Sequence, residues 1–233
     1  MPAALTVVLG LSAGFTFFLC RRNHLVIRQF EGTPTTAIGD LTEGVREIKG
    51  TVSDASTTVP APMSGEDCVW YSLHVEEAVQ RGKNRHWETR GRRTHHGECF
   101  VEDGTGTCLV DLDDADQSLT GGARSTSGTF DDPSAPELAA LAAFDLEGEN
   151  FLGMNRRFRY RETVLRRGDP LFARGPCEID VHGMAVMSTF HTDRVFFSNQ
   201  SEEKLVRGHK QWRALQLILF LGSAVGAVMS LMV

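Results

Sequence analysis

The stretch VWYSLHVE, residues 69–76, decides the fold. Val69, Tyr71, Leu73 and Val75 alternate with Trp70, Ser72, His74 and Glu76, the two-residue period of a half-buried strand. Such a strand needs neighbours, and the chain on either side supplies them. Upstream, Ile48 and Val52 in VREIKGTV (residues 45–52) suit a first strand, and residues 53–62 form a polar connection broken by proline. Before that, Val26 and Phe30 bound a short apolar segment, Pro34 interrupts it, and the polar residues 40–44 read as the start of a single helical turn. Downstream, residues 99–101 and 108–110 flank EDGTGT, which is a β-hairpin with a glycine-containing turn.

The four aspartates 111, 113, 114 and 116 follow the hairpin, but Asp116 stands where a calcium loop needs glycine and no glutamate closes it, so they read as a solubilising loop. TGGARSTSGTFDD, residues 120–132, is a flexible link. One helix stands out: Ser134 and Glu137 make an S-x-x-E capping box, Pro136 sits in the first turn, and ELAALAAF supplies helix formers. Short strands resume around Phe158 and Tyr160, Val164 and Leu165, residues 171–173, Ile179 and Val181, residues 184–187 and residues 195–197. The fold class is therefore a mainly β (α+β) soluble domain, with two small β units joined near residues 118–136.

Both ends of the chain are apolar. LQLILFLGSAVGAVMSLMV (residues 215–233) is uncharged and long enough to span a bilayer as a helix, with Lys204, Arg207, His209, Lys210, Arg213 and Trp212 on its near side. Residues 2–20 form a second such run, followed by Arg21, Arg22 and His24. It lacks the leading basic residue and small-x-small site of a cleaved signal. The expected organisation is a transmembrane helix at 2–20, a juxtamembrane segment at 21–40, a β-rich domain at 41–205, and a juxtamembrane segment with a second transmembrane helix at 206–233. Cations inside both runs place the domain in the cytoplasm and both termini outside. Gly10 with Gly14, and Gly222 with Gly226, form small-xxx-small patterns that suit helix packing, either as a hairpin or in a homo-oligomer.

The 24 Lys and Arg against 30 Asp and Glu, a net charge of -6, argue against nucleic acid as a partner. Five cysteines, none in C-x-x-C spacing, read as reduced and buried; Cys99 and Cys108 flank the hairpin turn, where a disulfide would form in an oxidising compartment. Cys20 lies at the membrane boundary, a position where S-acylation occurs in eukaryotes, and is read as a packing residue or as one without a role. No cofactor is implied. His86, His95 and His96 beside Cys99 make a poor metal set, because adjacent residues of a strand face opposite ways. GLSAG, residues 10–14, matches a nucleophile elbow only formally, since it lies in an apolar span without a histidine. Ser188, His191 and Asp193 are close in sequence, which is not triad geometry.

The candidate contacts are basic. Arg81, Lys83, Arg85, Arg90, Arg92 and Arg93 crowd a segment with Glu88 as its one acid, read as a solvated loop or as a contact for anionic lipid headgroups.

The order of the pieces resembles the GIDE, or Beside-A-Membrane, domain. The resemblance rests on GTV and SGEDCVWYSLHVEE, on Trp87 in the basic segment, on FVEDGTGTCLVD, on YRETVLRRGDPLFARG, on the late FFS and SEEKL, and on a membrane run at each end. It covers roughly residues 41–205, and its most specific parts are residues 103–106 and 162–175 around Gly168 and Asp169. That domain occurs in two-span mitochondrial ubiquitin ligases and in prokaryotic proteins, and the absence of a RING here points to a prokaryotic type. In the ligases, transfer depends on a RING finger after the second span, with about eight zinc-binding Cys and His residues. The sequence through Val233 holds no such set. Glu162 and Asp169, with Arg159, Arg161, Arg166 and Arg167 around them, are read either as fold-making or as a partner-binding edge.

Two functions follow as expectations. The first is a membrane-anchored, non-enzymatic interaction or scaffold module that binds a protein partner or lipid headgroups. The second, implied by the resemblance, is an E3-ligase-family protein with the catalytic RING on another chain.

Overall fold

The computed structural model describes residues 33–128, 132–148, 156–190 and 193–201, with scattered helical positions between 204 and 218. The run at 2–20, most of the run at 215–233, Cys20, His191 and the glycine pairs at 10, 14, 222 and 226 lie outside the described residues. No helix among the described residues is long and apolar enough to cross a membrane.

Among the described residues the domain has thirteen strands, β1 (Gly44–Val52), β2 (Val59–Pro60), β3 (Asp67–Cys68), β4 (Trp70–Arg81), β5 (Asn84–His96), β6 (Cys99–Glu102), β7 (Thr107–Val110), β8 (Asp116–Ser118), β9 (Arg124–Thr126), β10 (Phe158–Leu165), β11 (Pro170–Ile179), β12 (Ala185–Met187) and β13 (Phe196–Ser198), together with the helix α1 (Ala135–Ala142) and a 3-10 turn at Ile38–Asp40. A seven-stranded sheet runs β1-β6-β7-β12-β11-β13-β8, and the further pairing of β1 with β11 closes five of its strands into a ring. The interior of that ring is lined by small and medium side chains, among them Ile48, Val52, Cys99, Val101, Cys108, Val110, Ala173, Cys177 and Met187. Small residues suit the tight curvature of a closed sheet. The second sheet runs β5-β4-β10-β9 and packs Tyr71, Leu73, Val75, Phe158 and Tyr160 against Ala140 and Leu141 of α1.

The alternation at residues 69–76 forms β4, with one difference. Trp70, expected on the wet face, is buried and meets Phe197 edge-on at 5.7 Å. β4 begins inside the first core and runs on into the second, so its first residues are covered on both faces. The capping box also forms: the Glu137 carboxylate accepts from the Ser134 N–H at 2.8 Å and its hydroxyl at 2.9 Å.

Three expectations are corrected. The two β units do not divide near residues 118–136, because β4, β5, β9 and β10 of one sheet are interleaved in sequence with the strands of the other. The basic segment is not a loop but the strand β5. Val181 leaves the sheet and is 96% exposed in the turn that joins β11 to β12. The cysteines read as reduced and buried are so where they are described: Cys68, Cys99, Cys108 and Cys177 are free and buried, with Cys99 facing Val110 and Cys108 facing Val101 across the hairpin. Burial pushes the Cys99 and Cys108 thiols up to about 12.

Candidate functional site: a cationic sheet face

Register fixes which side chains share the open face of the four-stranded sheet. Arg92 of β5 lies beside His74 of β4, His74 beside Arg161 of β10, and Arg161 beside Arg124 of β9. Directly paired residues point to the same side of a sheet, so these four make one row across all four strands. Arg92, Arg161 and Arg124 are exposed and His74 is half-buried. Among the described residues none of the three arginines forms an ion pair. The next row is Thr89, Glu76, Arg159 and Thr126. A cavity of about 340 Å³ opens between the rows on the β9 side, lined by Glu76, Arg124, Thr126, Arg159 and Arg161 among others.

The second row is a fixed frame. Arg159 binds Glu76 with both ends of its guanidinium, Nη2 to Oε1 at 2.6 Å and Nε to Oε2. Its Cζ also lies 4.6 Å from the centre of the Trp87 ring, within cation–π range. The hydrogen bonds from Arg159 hold the Glu76 carboxyl below its ordinary range, and the nearby charges of His74 and Arg161 add to that. His74 Nε2 lies 3.2 Å from the Thr89 hydroxyl.

On the other face Glu77 takes Arg90 Nε at 2.6 Å and Arg156 Nε at 2.7 Å. Burial works against its charge, but the two arginines outweigh this and hold the carboxyl below its usual 4.5. A carboxylate that binds its proton more weakly when folded contributes stability in full above the unfolded value and loses it as pH falls through the lower folded one. Glu77→Gln is therefore expected to lower the thermal midpoint at neutral pH and to flatten the loss of stability below pH 4.5. Equal slopes in variant and parent would show that another group drives the acid transition.

The basic candidates sort into two groups. Arg81 pairs with Glu88 at 2.6 Å, Arg90 with Glu77, and Arg93 lies 5.3 Å over the Phe144 ring, all tied to the fold. Lys83, Arg85 and Arg92 are exposed and carry no ion pair among the described residues. Glu162 and Asp169 serve the interior and a turn. Glu162 is 1% exposed and its carboxylate accepts the N–H groups of Met63 and Ser64, so it is not on a partner-binding edge. Asp169 accepts the Arg166 N–H at 2.8 Å in the turn where Gly168 has φ +79. Arg166 reaches Glu66 at 2.8 Å and Arg167 the Ser56 carbonyl at 2.9 Å.

His74 and Arg124 were not singled out by the sequence. The alternation of β4 puts His74 on its polar face, but nothing local joins it to Arg124. The other motifs are structural: His95 meets Tyr71 edge-on, while His96 Nε2 bonds Asp113 at 3.0 Å. Among the described residues no group of three or more His, Cys, Asp or Glu side chains is placed to hold a metal ion.

A family model described as E3 Ubiquitin ligase, the GIDE model, matches residues 71–233, from β4 onward. No curated protein and no solved structure matches the chain.

Proposed function

Because the chain belongs to the GIDE family, we propose that it serves a ubiquitin-type modification pathway as a binding module, capturing an acidic segment of a protein partner on its four-stranded sheet and holding it at a membrane. The observation that carries this reading is the row Arg92, His74, Arg161 and Arg124. Arg161 and Arg124 set like charges side by side on the sheet, which opposes folding, and they stand open, as Arg92 does, while Glu76, Glu77 and Glu88 are each engaged by arginines. A ligand that brings carboxylates relieves the repulsion. The membrane part rests on the two apolar runs and on Trp212, Leu215 and Ile218, helical positions that expose large apolar side chains.

The test is crosslinking of the intact chain in its native membrane, followed by mass spectrometry of what remains attached to the domain. The parent is expected to retain a dominant foreign protein with an acidic segment, and R92E/R161E/R124E to lose it. Exposed ion pairs contribute about 0.2–1 kcal/mol each, so losing three and setting like charges against the ligand should weaken capture on the order of tenfold. Equal capture by parent and variant would remove this face from the function. Retention of anionic lipid alone would replace the protein partner by a headgroup, and retention of copies of the chain alone would replace it by self-assembly.

A further inference from the structure

β5 is the outermost strand of its sheet and is hydrogen-bonded to β4 along one side. Among the described residues no strand pairs with its other edge. None of the residues of β5 (Asn84–His96) is buried. An edge of this length presents a row of backbone N–H and C=O groups to any extended chain that meets it, and the side chains along it decide which chain is admitted.

Those side chains select by charge. Register puts Arg85 and Arg92 on the open face, since they lie beside Gln80 and His74, while Arg93 lies beside Leu73 on the covered face. Val75 faces Gly91 and Glu76 faces Thr89, which leaves Arg90 as the extra residue of a bulge. The strand's one acid, Glu88, is already held by Arg81 at 2.6 Å and by Arg90 at 3.5 Å. A second copy docking edge to edge would bring arginines against arginines, which is destabilising. The same charges favour a strand that carries carboxylates.

We infer that β5 takes up an extended acidic segment of the protein partner as a fifth strand of the sheet. Backbone hydrogen bonds to the open edge supply affinity, and carboxylates at alternate positions of the incoming strand supply selectivity. Beside residues 91–96 those carboxylates come next to Arg92, so the added strand extends the row that runs on through His74 and Arg161 to Arg124. The bulge at Arg90 limits regular pairing to the stretches on either side of it. This binding mode rests on the acidic-partner role proposed above and adds to it the demand that the partner's backbone takes part.

The experiment uses the full chain in lipid nanodiscs and a fluorescent peptide of about ten residues, a length that matches a long natural strand, alternating Glu and Val. Two further peptides carry N-methyl groups on the backbone amides of one edge or of the other, and a fourth replaces Glu by Lys. The Glu–Val peptide is expected to bind. One N-methylated form should lose at least tenfold in affinity while the other keeps it, the Lys peptide should not bind, and R92E should weaken the parent interaction. Binding should also slow hydrogen exchange at β5 amides that do not face β4. If both N-methylated peptides bind like the parent, charge alone holds the segment and strand addition is overturned while the acidic-partner role stands. If the Glu–Val peptide does not bind, strand addition is overturned. If R92E/R161E/R124E in addition keeps its partner in the membrane crosslinking, the acidic-partner role falls as well.

Discussion

Replacing Glu162 by alanine is expected to lower the folding stability of the domain by about 2–4 kcal/mol, the range for a buried charged acceptor removed from its donors. Its Oε2 accepts the Met63 N–H at 2.7 Å and its Oε1 the Ser64 N–H at 2.9 Å. The carboxylate thus pins the loop between β2 and β3 to β10, across nearly a hundred residues of chain. Alanine leaves both amides without their acceptor, one of them in a buried bond, and water does not readily replace what is lost. Glutamine keeps one acceptor oxygen but turns an NH2 toward the second donor, so Glu162→Gln should lose roughly half as much. Urea midpoints with unchanged m-values measure both. A parent-like midpoint for the alanine variant would mean that the loop is held by something else.

Gly122→Ala is expected to cost about 2–5 kcal/mol, the sum of a left-handed penalty and of overpacking against rigid backbone. Gly122 has φ +99, and an added Cβ would collide with the Glu162 carbonyl oxygen and come within 2.9 Å of the Thr163 Cα. Both obstacles are backbone of a central strand and cannot swing aside. Gly104 is the control, because its φ of +84 is equally unsuited to alanine but nothing lies within 4 Å of its Cβ direction. Gly104→Ala should therefore show only the conformational part, about 1–2 kcal/mol. Equal thermal midpoints for the two variants would exclude the close approach as the cause.

Gly122 also marks a place where composition misleads. TGGARSTSGTFDD has the composition of a flexible link, yet its first half crosses β10 in close contact and then forms β9. Small residues serve a solvated linker and a tight backbone crossing equally well, and composition does not separate the two. Glu162 is a similar case. It sits in YRETVL, where the alternation puts it on the same side as Tyr160 and Val164, but an acid in that place reads as a surface group until the amides of Met63 and Ser64 are seen to face it. The basic stretch went the other way, since six cations among few apolar residues read as a loop. Pairing with β4 over its whole length makes it a strand all the same, because edge strands need only one neighbour and tolerate charge.

By itself the sequence determined the strand at residues 69–76, the hairpin about residues 103–106, the capped helix at Ala135–Ala142 and the family. Each of these rests on the side-chain period or the backbone preferences of a few consecutive residues, so a short window contains its cause. Only the tertiary structure decided that strands from both halves of the chain interleave into two sheets, that Glu162 lies inside, and that Arg92, His74, Arg161 and Arg124 stand in one row. Strand pairing joins segments far apart in the chain, and a shift of one residue in any pair would have sent part of that row to the opposite face.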